Sequence, residues 1–413
     1  MNRRLLAALL PSAFAFACTD DAAGGDDEAG AVEVLVPELV DGYPSLAGPC
    51  RGPVEAPTHL VVTSTDFNTG AVGLVTLPGE GSDAHEVAAD LALASTDAVP
   101  VVDAGRVFVL NRFGFDYVDE LAPADLGLVH EFAVAAQLSE DSANPHDLLL
   151  VGEHGWLSLF GAPELQRVRF PELAFATPSV DRALDLSAFA DADGVPELGQ
   201  LIGCGPELAF VSAERIDRSA WVPADDTLLI PVRLGDSPAV YDFDPAHPGA
   251  DGIPLLGTGV GAWRLDPSAS DGHTLVMLNS GLERIDLAAG SSEWVIPEAV
   301  FEAEGITRLH LSGFGYDSQG QIWLSIADAD FSAFALYRAD FAGPDDAVEL
   351  IRSVEGLQSV TGALAVIGDR AYFADTTIGA SGLRIFELAQ NPVSELPSSP
   401  LPMGLPPLSL TTL

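Results

Sequence analysis

The chain has 413 residues, 48 % of them hydrophobic, which is ample for a large core and excludes global disorder. Its formal charge of −43 sets 61 acidic against 18 basic side chains, every basic one Arg; so acidic a surface repels phosphate backbones and argues against nucleic acid as a partner. The length exceeds a typical compact domain, but an all-β propeller or barrel absorbs it as one unit.

Residues 1–17 pair a basic start, Arg3 and Arg4, with an apolar run, the layout of a signal peptide too short to span a bilayer, which takes about 20 apolar residues. The run ends Ala15-Phe16-Ala17-Cys18, and small residues before a cysteine resemble a bacterial lipobox, whose cysteine is acylated. The expectation is a lipidated Cys18; the alternative is cleavage after Ala17 with a free thiol. Residues 18–45 then read as a tether, opening with a Gly-, Ala- and Asp-rich stretch without apolar periodicity. An exported chain leaves Cys50 and Cys204 as an even pair, so a disulfide is expected, the alternative being two buried thiols.

From residue 46 to 392, short runs of Val, Leu, Ile and Phe alternate with Gly, Asp, Asn and Pro clusters, the pattern of strands and turns. A loose unit recurs at 58–77, 105–121, 146–170, 205–242, 261–287, 310–341 and 362–388. About seven copies at this period predict an all-β fold, a closed β-propeller of seven four-stranded blades, because each blade buries its faces only against its neighbours. A pair of β-sandwiches is the rival. Residues 393–413 read as a Pro-rich, extended tail.

Phe108-Val109-Leu110-Asn111, followed by Gly114 and Val118-Asp119-Glu120-Leu121, resembles the repeat of the Tyr-Val-Thr-Asn family of β-propellers; residues 371–375 with 382–386 form a degenerate copy. The chain also resembles uncharacterised propeller lipoproteins of high-GC Gram-negative bacteria, through Ser64-Thr65-Asp66-Phe67, Asn111-Arg112-Phe113-Gly114, Asn144-Pro145-His146-Asp147 and the acidic stretch 185–194. These resemblances imply a fold and a location in the cell envelope, outer membrane or cell surface, but no activity.

Asp191, Asp193 and Glu197 beside Gly194 are the densest acidic group outside the tether and suggest a calcium loop, although the spacing of an EF-hand is absent and a turn-rich excursion explains the same residues. His59, His146 and Asp147 each precede an apolar run and are expected to open innermost strands near the channel mouth, where a ligand or metal sits. Asn111 and Arg112 are further candidate binding residues in a repeat turn. No Gly-x-Ser-x-Gly, Cys-x-x-Cys-His or P-loop is present. The leading functional expectation is a non-enzymatic binding or scaffold protein for a protein, glycan or small-molecule ligand, touching the membrane only through its anchor. The alternative is a calcium-dependent, lactonase-like hydrolase at the channel mouth.

Overall fold

A computed structural model describes residues 32–413 apart from 53–55, 80–81, 172–175, 224–225, 247–249, 307–310, 329–330 and 342–347. Cys18 lies outside the described residues. Seven four-stranded antiparallel sheets are arranged as a seven-bladed propeller, with the first strands of neighbouring blades lying against one another at the centre. Blade two, from the inside outward, is Ala98–Asp103, Arg106–Asn111, Tyr117–Leu121 and Leu128–Ala133. Blade three is Pro145–Val151, His154–Leu159, Glu164–Arg169 and Ser179–Asp185. Blade four is Leu198–Cys204, Leu208–Ala213, Leu228–Arg233 and Ala239–Asp242, and blades five, six and seven begin at Trp263–Leu265, Leu311–Tyr316 and Leu364–Ile367.

The middle strands show why the sequence folds this way. Ile322–Ala327 is buried at every position, as a strand covered on both faces must be. By contrast, the outermost strand of blade one, Glu86–Ala94, alternates between exposed and half-buried residues along most of its length. Seven apolar clusters form among the described residues, one at each junction between consecutive blades. Trp156 and Leu184 of blade three, for example, pack on Leu198 and Ile230 of blade four.

Blade one corrects two expectations. Its innermost strand is the C-terminal Pro407–Thr412, hydrogen-bonded antiparallel to His59–Thr65, which is therefore second from the centre. The end of the chain is thus the strand that closes the ring and no tail beside it. Likewise residues 33–45 are docked: Glu33–Leu35 and Glu38–Asp41 add parallel fifth strands to the outer edges of blades three and four.

Innermost strands all run from one face of the ring, here the entry face, to the other, the exit face. After blade four's edge, residues 43–52 run over the exit face as a strap. The Tyr43 hydroxyl donates to Leu287 O, Cys50 N donates to Gly272 O, and Arg51 N donates to Gly203 O. The Arg51 guanidinium contacts Asp103 at 3.0 Å and donates to Leu150 O at 2.7 Å, so one residue ties the innermost strands of blades two, three and four. Cys50 and Cys204 form the expected disulfide, pinning the strap to blade four across a separation of 154 residues.

Two predictions follow from this closure. Truncation after Leu405 removes the innermost strand of blade one and should abolish the cooperative melting transition seen by near-UV circular dichroism. Cys50→Ser should lower unfolding stability by about 2–5 kcal/mol in denaturant titration, and the double variant with Cys204→Ser should lose no more than the single one.

Candidate functional site

The innermost strands of blades three and four both break register at their entry ends. His146 is the extra residue between Pro145 and Asp147, and Gly199 and Gln200 lie in the irregularity between Leu198 and Leu201. Such bulges re-aim side chains, and here they turn His146 and the bare α-carbon of Gly199 toward the same space. A β-carbon at Gly199 would lie 2.8 Å from Ser212 Oγ, 3.6 Å from Glu214 Oε1 and 4.0 Å from His146 Nδ1. The bare α-carbon lets a hydroxyl, a carboxyl and an imidazole close around one point, a polar niche too tight for a methyl group on residue 199 itself.

Each wall is held from behind. The His146 ring stacks on Phe160 with centroids 4.6 Å apart, and Arg112 Nη1 lies 3.0 Å from His146 Nε2. A guanidinium only donates, so Nε2 accepts and the ring proton resides on Nδ1, the nitrogen facing the niche. Burial, helped by the Arg112 charge, pushes the His146 pKa down to about 3, so the ring is neutral at physiological pH. Arg112 is itself paired to Asp97 at 2.8 Å.

Glu214 follows directly on the second strand of blade four. Burial, with the neighbouring Glu197 charge, raises its pKa to about 8, against the hydrogen bond from Val260 N. Glu197 accepts from Arg218 Nε at 2.7 Å and Ile216 N at 2.9 Å, and burial raises it to about 7. Arg218 also donates to Phe160 O at 3.2 Å, linking this pair to the ring under His146. His146, Asp147 and Glu214 are only half-buried by exposure yet hemmed in by protein, as side chains lining a narrow channel are. The same holds for Arg264 on blade five's innermost strand, whose guanidinium donates to Trp263 O at 2.7 Å, lies 5.8 Å over the Phe314 ring and meets no carboxylate among the described residues.

The expected site residues separate into two groups. Arg112 and His146 meet at the entry-face mouth. Asp147 instead joins strands, accepting from Leu148 N and Leu201 N at 2.8 Å each; burial first, then Asp103, raises it to about 7. Asn111 is fully buried, donates to Asp119 Oδ2 at 2.9 Å and accepts from Ser95 N at 2.6 Å, so it is a structural clamp. His59 opens a second strand at the exit face and bonds Thr58 Oγ1 at 2.8 Å, far along the blade from the mouth where it was expected.

The acidic loop does not gather into a metal site. Asp191 and Asp193 cap successive backbone amides, Asp193 N and Val195 N, and Glu197 is taken by Arg218 and Ile216. Among the described residues no group of three or more His, Cys, Asp or Glu side chains is placed to hold a metal ion. A separate groove of about 580 Å³ opens on the exit face between blades three and four. Its cations Arg51 and Arg167 are paired with Asp103 and Asp181.

Glu214, Gly199, Ser212 and Arg264 escaped the sequence reading because none belongs to a motif. The one signal was a carboxylate closing the apolar run 208–213. Its elevated pKa supplies a test of the electrostatics. A carboxyl with a raised folded pKa gives stability that is complete below its unfolded value near 4.5 and is lost as pH climbs through about 8. Melting midpoints should therefore fall between pH 5 and 8.5 more steeply in the wild type than in Glu214→Gln.

No family model and no curated protein matches this chain. Solved structures do. A candidate 6-phosphogluconolactonase from Bacteroides uniformis superposes with a TM-score of 0.56 at 9 % identity, covering 87 % of this chain and 100 % of its own. The periplasmic gluconolactonase of Pseudomonas aeruginosa gives 0.54 at 12 % identity over 86 % and 98 %. A functionally unknown protein from Desulfotomaculum acetoxidans gives 0.51 at 10 % over 86 % and 98 %. At such identities the likeness establishes architecture alone: this chain is a seven-bladed β-propeller.

Proposed function

We propose that the entry-face mouth binds a small oxygen-rich ligand and hydrolyses a cyclic ester, a lactone-hydrolase reading that departs from the purely non-catalytic role expected from sequence. The observation that carries it is the Gly199 niche, where a proton-donating imidazole and a carboxyl titrating near neutrality face one space. In this scheme His146 Nδ1–H donates to the ester carbonyl oxygen, polarising it as a neutral electrophile. The Glu214 carboxylate accepts a proton from water as the water oxygen bonds to the carbonyl carbon. The ring C–O bond then breaks, and Glu214 returns the proton to the departing alkoxide, leaving a hydroxy acid. Arg112 fixes the His146 tautomer. The names of the Bacteroides and Pseudomonas structures support the choice of lactones as the substrate class. An acylated Cys18 would hold this activity in the cell envelope, among propellers of the Tyr-Val-Thr-Asn type.

Hydrolysis of glucono-δ-lactone, followed by base uptake and corrected for the spontaneous rate, tests this. Glu214→Gln should lower kcat/KM by about 10²–10⁴-fold. In the wild type kcat/KM should rise with pH and level off near the Glu214 value of about 8, because only the carboxylate is a base, and that limb should vanish in Glu214→Gln. Gly199→Ala should lower the melting midpoint as well as turnover, because its β-carbon would press on Ser212 Oγ, which is buried and accepts from Gln200 N at 2.8 Å. Binding of sugar lactones without turnover would return the protein to a binding role.

A further inference from the structure

The entry face carries exposed apolar side chains that neither the core nor the niche uses. Phe67 stands in blade one, Phe113 and Phe115 in blade two, Trp221 in blade four, Leu256 in the turn entering blade five and Ile378 in blade seven. Phe113 is 73 % exposed and Ile378 96 %. All sit in turns between second and third strands or in turns leading into a first strand, so all project from the same side of the ring.

Three of the aromatics are held where a bulky residue is disfavoured. Phe67, Phe113 and Trp221 have φ of 64°, 57° and 53°, the left-handed region that turns normally fill with Gly or Asn. Polar groups lock these turns. Asp66 Oδ1 accepts from Asn68 N and Thr69 N, Trp221 N donates to Asp217 O at 2.7 Å, and Phe113 N donates to Asn144 Oδ1 at 3.4 Å. Positive φ and solvent exposure thus coincide at one aromatic residue in each of three separate blades.

The layout tells which kind of surface. A protein–protein interface has an apolar centre and a polar rim. Here the order is inverted: the centre is the polar mouth with Arg112, His146 and Glu214, and the apolar tips surround it. Phe and Trp tips spread around a ring suit the headgroup boundary of a bilayer, where aromatic side chains settle. The charge of −43 makes anionic headgroups unfavourable. We infer that the entry face docks on a zwitterionic lipid surface, with Phe67, Phe113, Phe115 and Trp221 seated between headgroups. This contact needs no acyl chain on Cys18, and because the same face holds the mouth, docking would turn the mouth toward the lipid.

The test uses the full chain carrying Cys18→Ser, floated with phosphatidylcholine vesicles, with tryptophan emission as a second readout. The protein should float with the vesicles and its emission should shift to the blue. Replacing a third of the lipid by phosphatidylglycerol should weaken binding. The combined variant Phe67→Ser, Phe113→Ser, Phe115→Ser, Trp221→Ser should partition about tenfold less or weaker still while keeping the wild-type melting midpoint. Leu91→Ser with Leu93→Ser, which removes exposed apolar residues from the outer edge of blade one, should bind as the wild type does. Absence of flotation at every lipid excess, undiminished binding by the entry-face variant, or an equal loss in the Leu91/Leu93 variant would each overturn the inference.

Discussion

Every blade of this protein covers its two faces chiefly with other blades, with the strap added at the junction of blades four and five and Phe301 at that of five and six, so the ring depends on its closure. The seven apolar clusters among the described residues lie at the seven junctions, and at the junction of blades seven and one Leu60, Val62 and Val75 pack on blade seven beside Leu410 of the closing strand Pro407–Thr412. Such a ring supplies rigid innermost strands, since their neighbours on both sides are fixed by the same closure. His146 and Gly199 belong to those strands and depart from regular pairing only at the entry ends. The site is thus a local irregularity on a mount that cannot shift, the condition for preorganised chemistry.

An excess of acid would destabilise most folds, and here much of it is used structurally. Asp103 accepts from Leu150 N at 2.6 Å and Asp147 from Leu201 N at 2.8 Å, each carboxylate reaching from one innermost strand to the next. Glu164 takes Gln137 N and Leu138 N, and Glu283 takes Leu256 N and Gly257 N, each fastening the turn that enters its own blade. Hydrogen bonds to a charged acceptor are stronger than neutral ones, so backbone otherwise left to water is tied down. Arginine completes the scheme. Arg284 serves Asp266 and Glu293, and Arg384 serves Asp375 and Glu395, a two-carboxylate role that the planar guanidinium fills and an ammonium fills poorly.

Repeats and cysteines were legible in the sequence because their signals are local or countable. The blade period, the four-stranded pattern and the Cys50–Cys204 pair come from spacing and compartment. The phase of the repeat was not legible: a run such as 59–65 reads alike as a first or second strand, and only the hydrogen bonds to 407–412 decide. That phase error placed His59 at the mouth and left 393–413 as a tail. Arg112 and His146 were picked as polar residues beside strand ends, and they do meet. Their partner Glu214 lies 68 residues beyond His146 and becomes its neighbour only through the packing of blade four on blade three, which no local pattern encodes.

The charges around the niche alternate in a way that fits the proposed chemistry. Asp97 pairs with Arg112; burial, with Arg112 beside it, keeps His146 uncharged; and burial, with Glu197 beside it, pushes Glu214 upward, while Arg218 partly offsets Glu197. The outcome is one fixed proton donor and one carboxyl poised near neutrality, with no net charge demanded of the ligand. A lactone enters neutral and leaves as an anion. Under the proposed chemistry the anionic product would meet, beyond the mouth, a protein of net charge −43, whose field speeds its departure. For a lactone hydrolase, the extreme acidity that first suggests only solubility would also hasten product release, without altering the equilibrium between lactone and hydroxy acid.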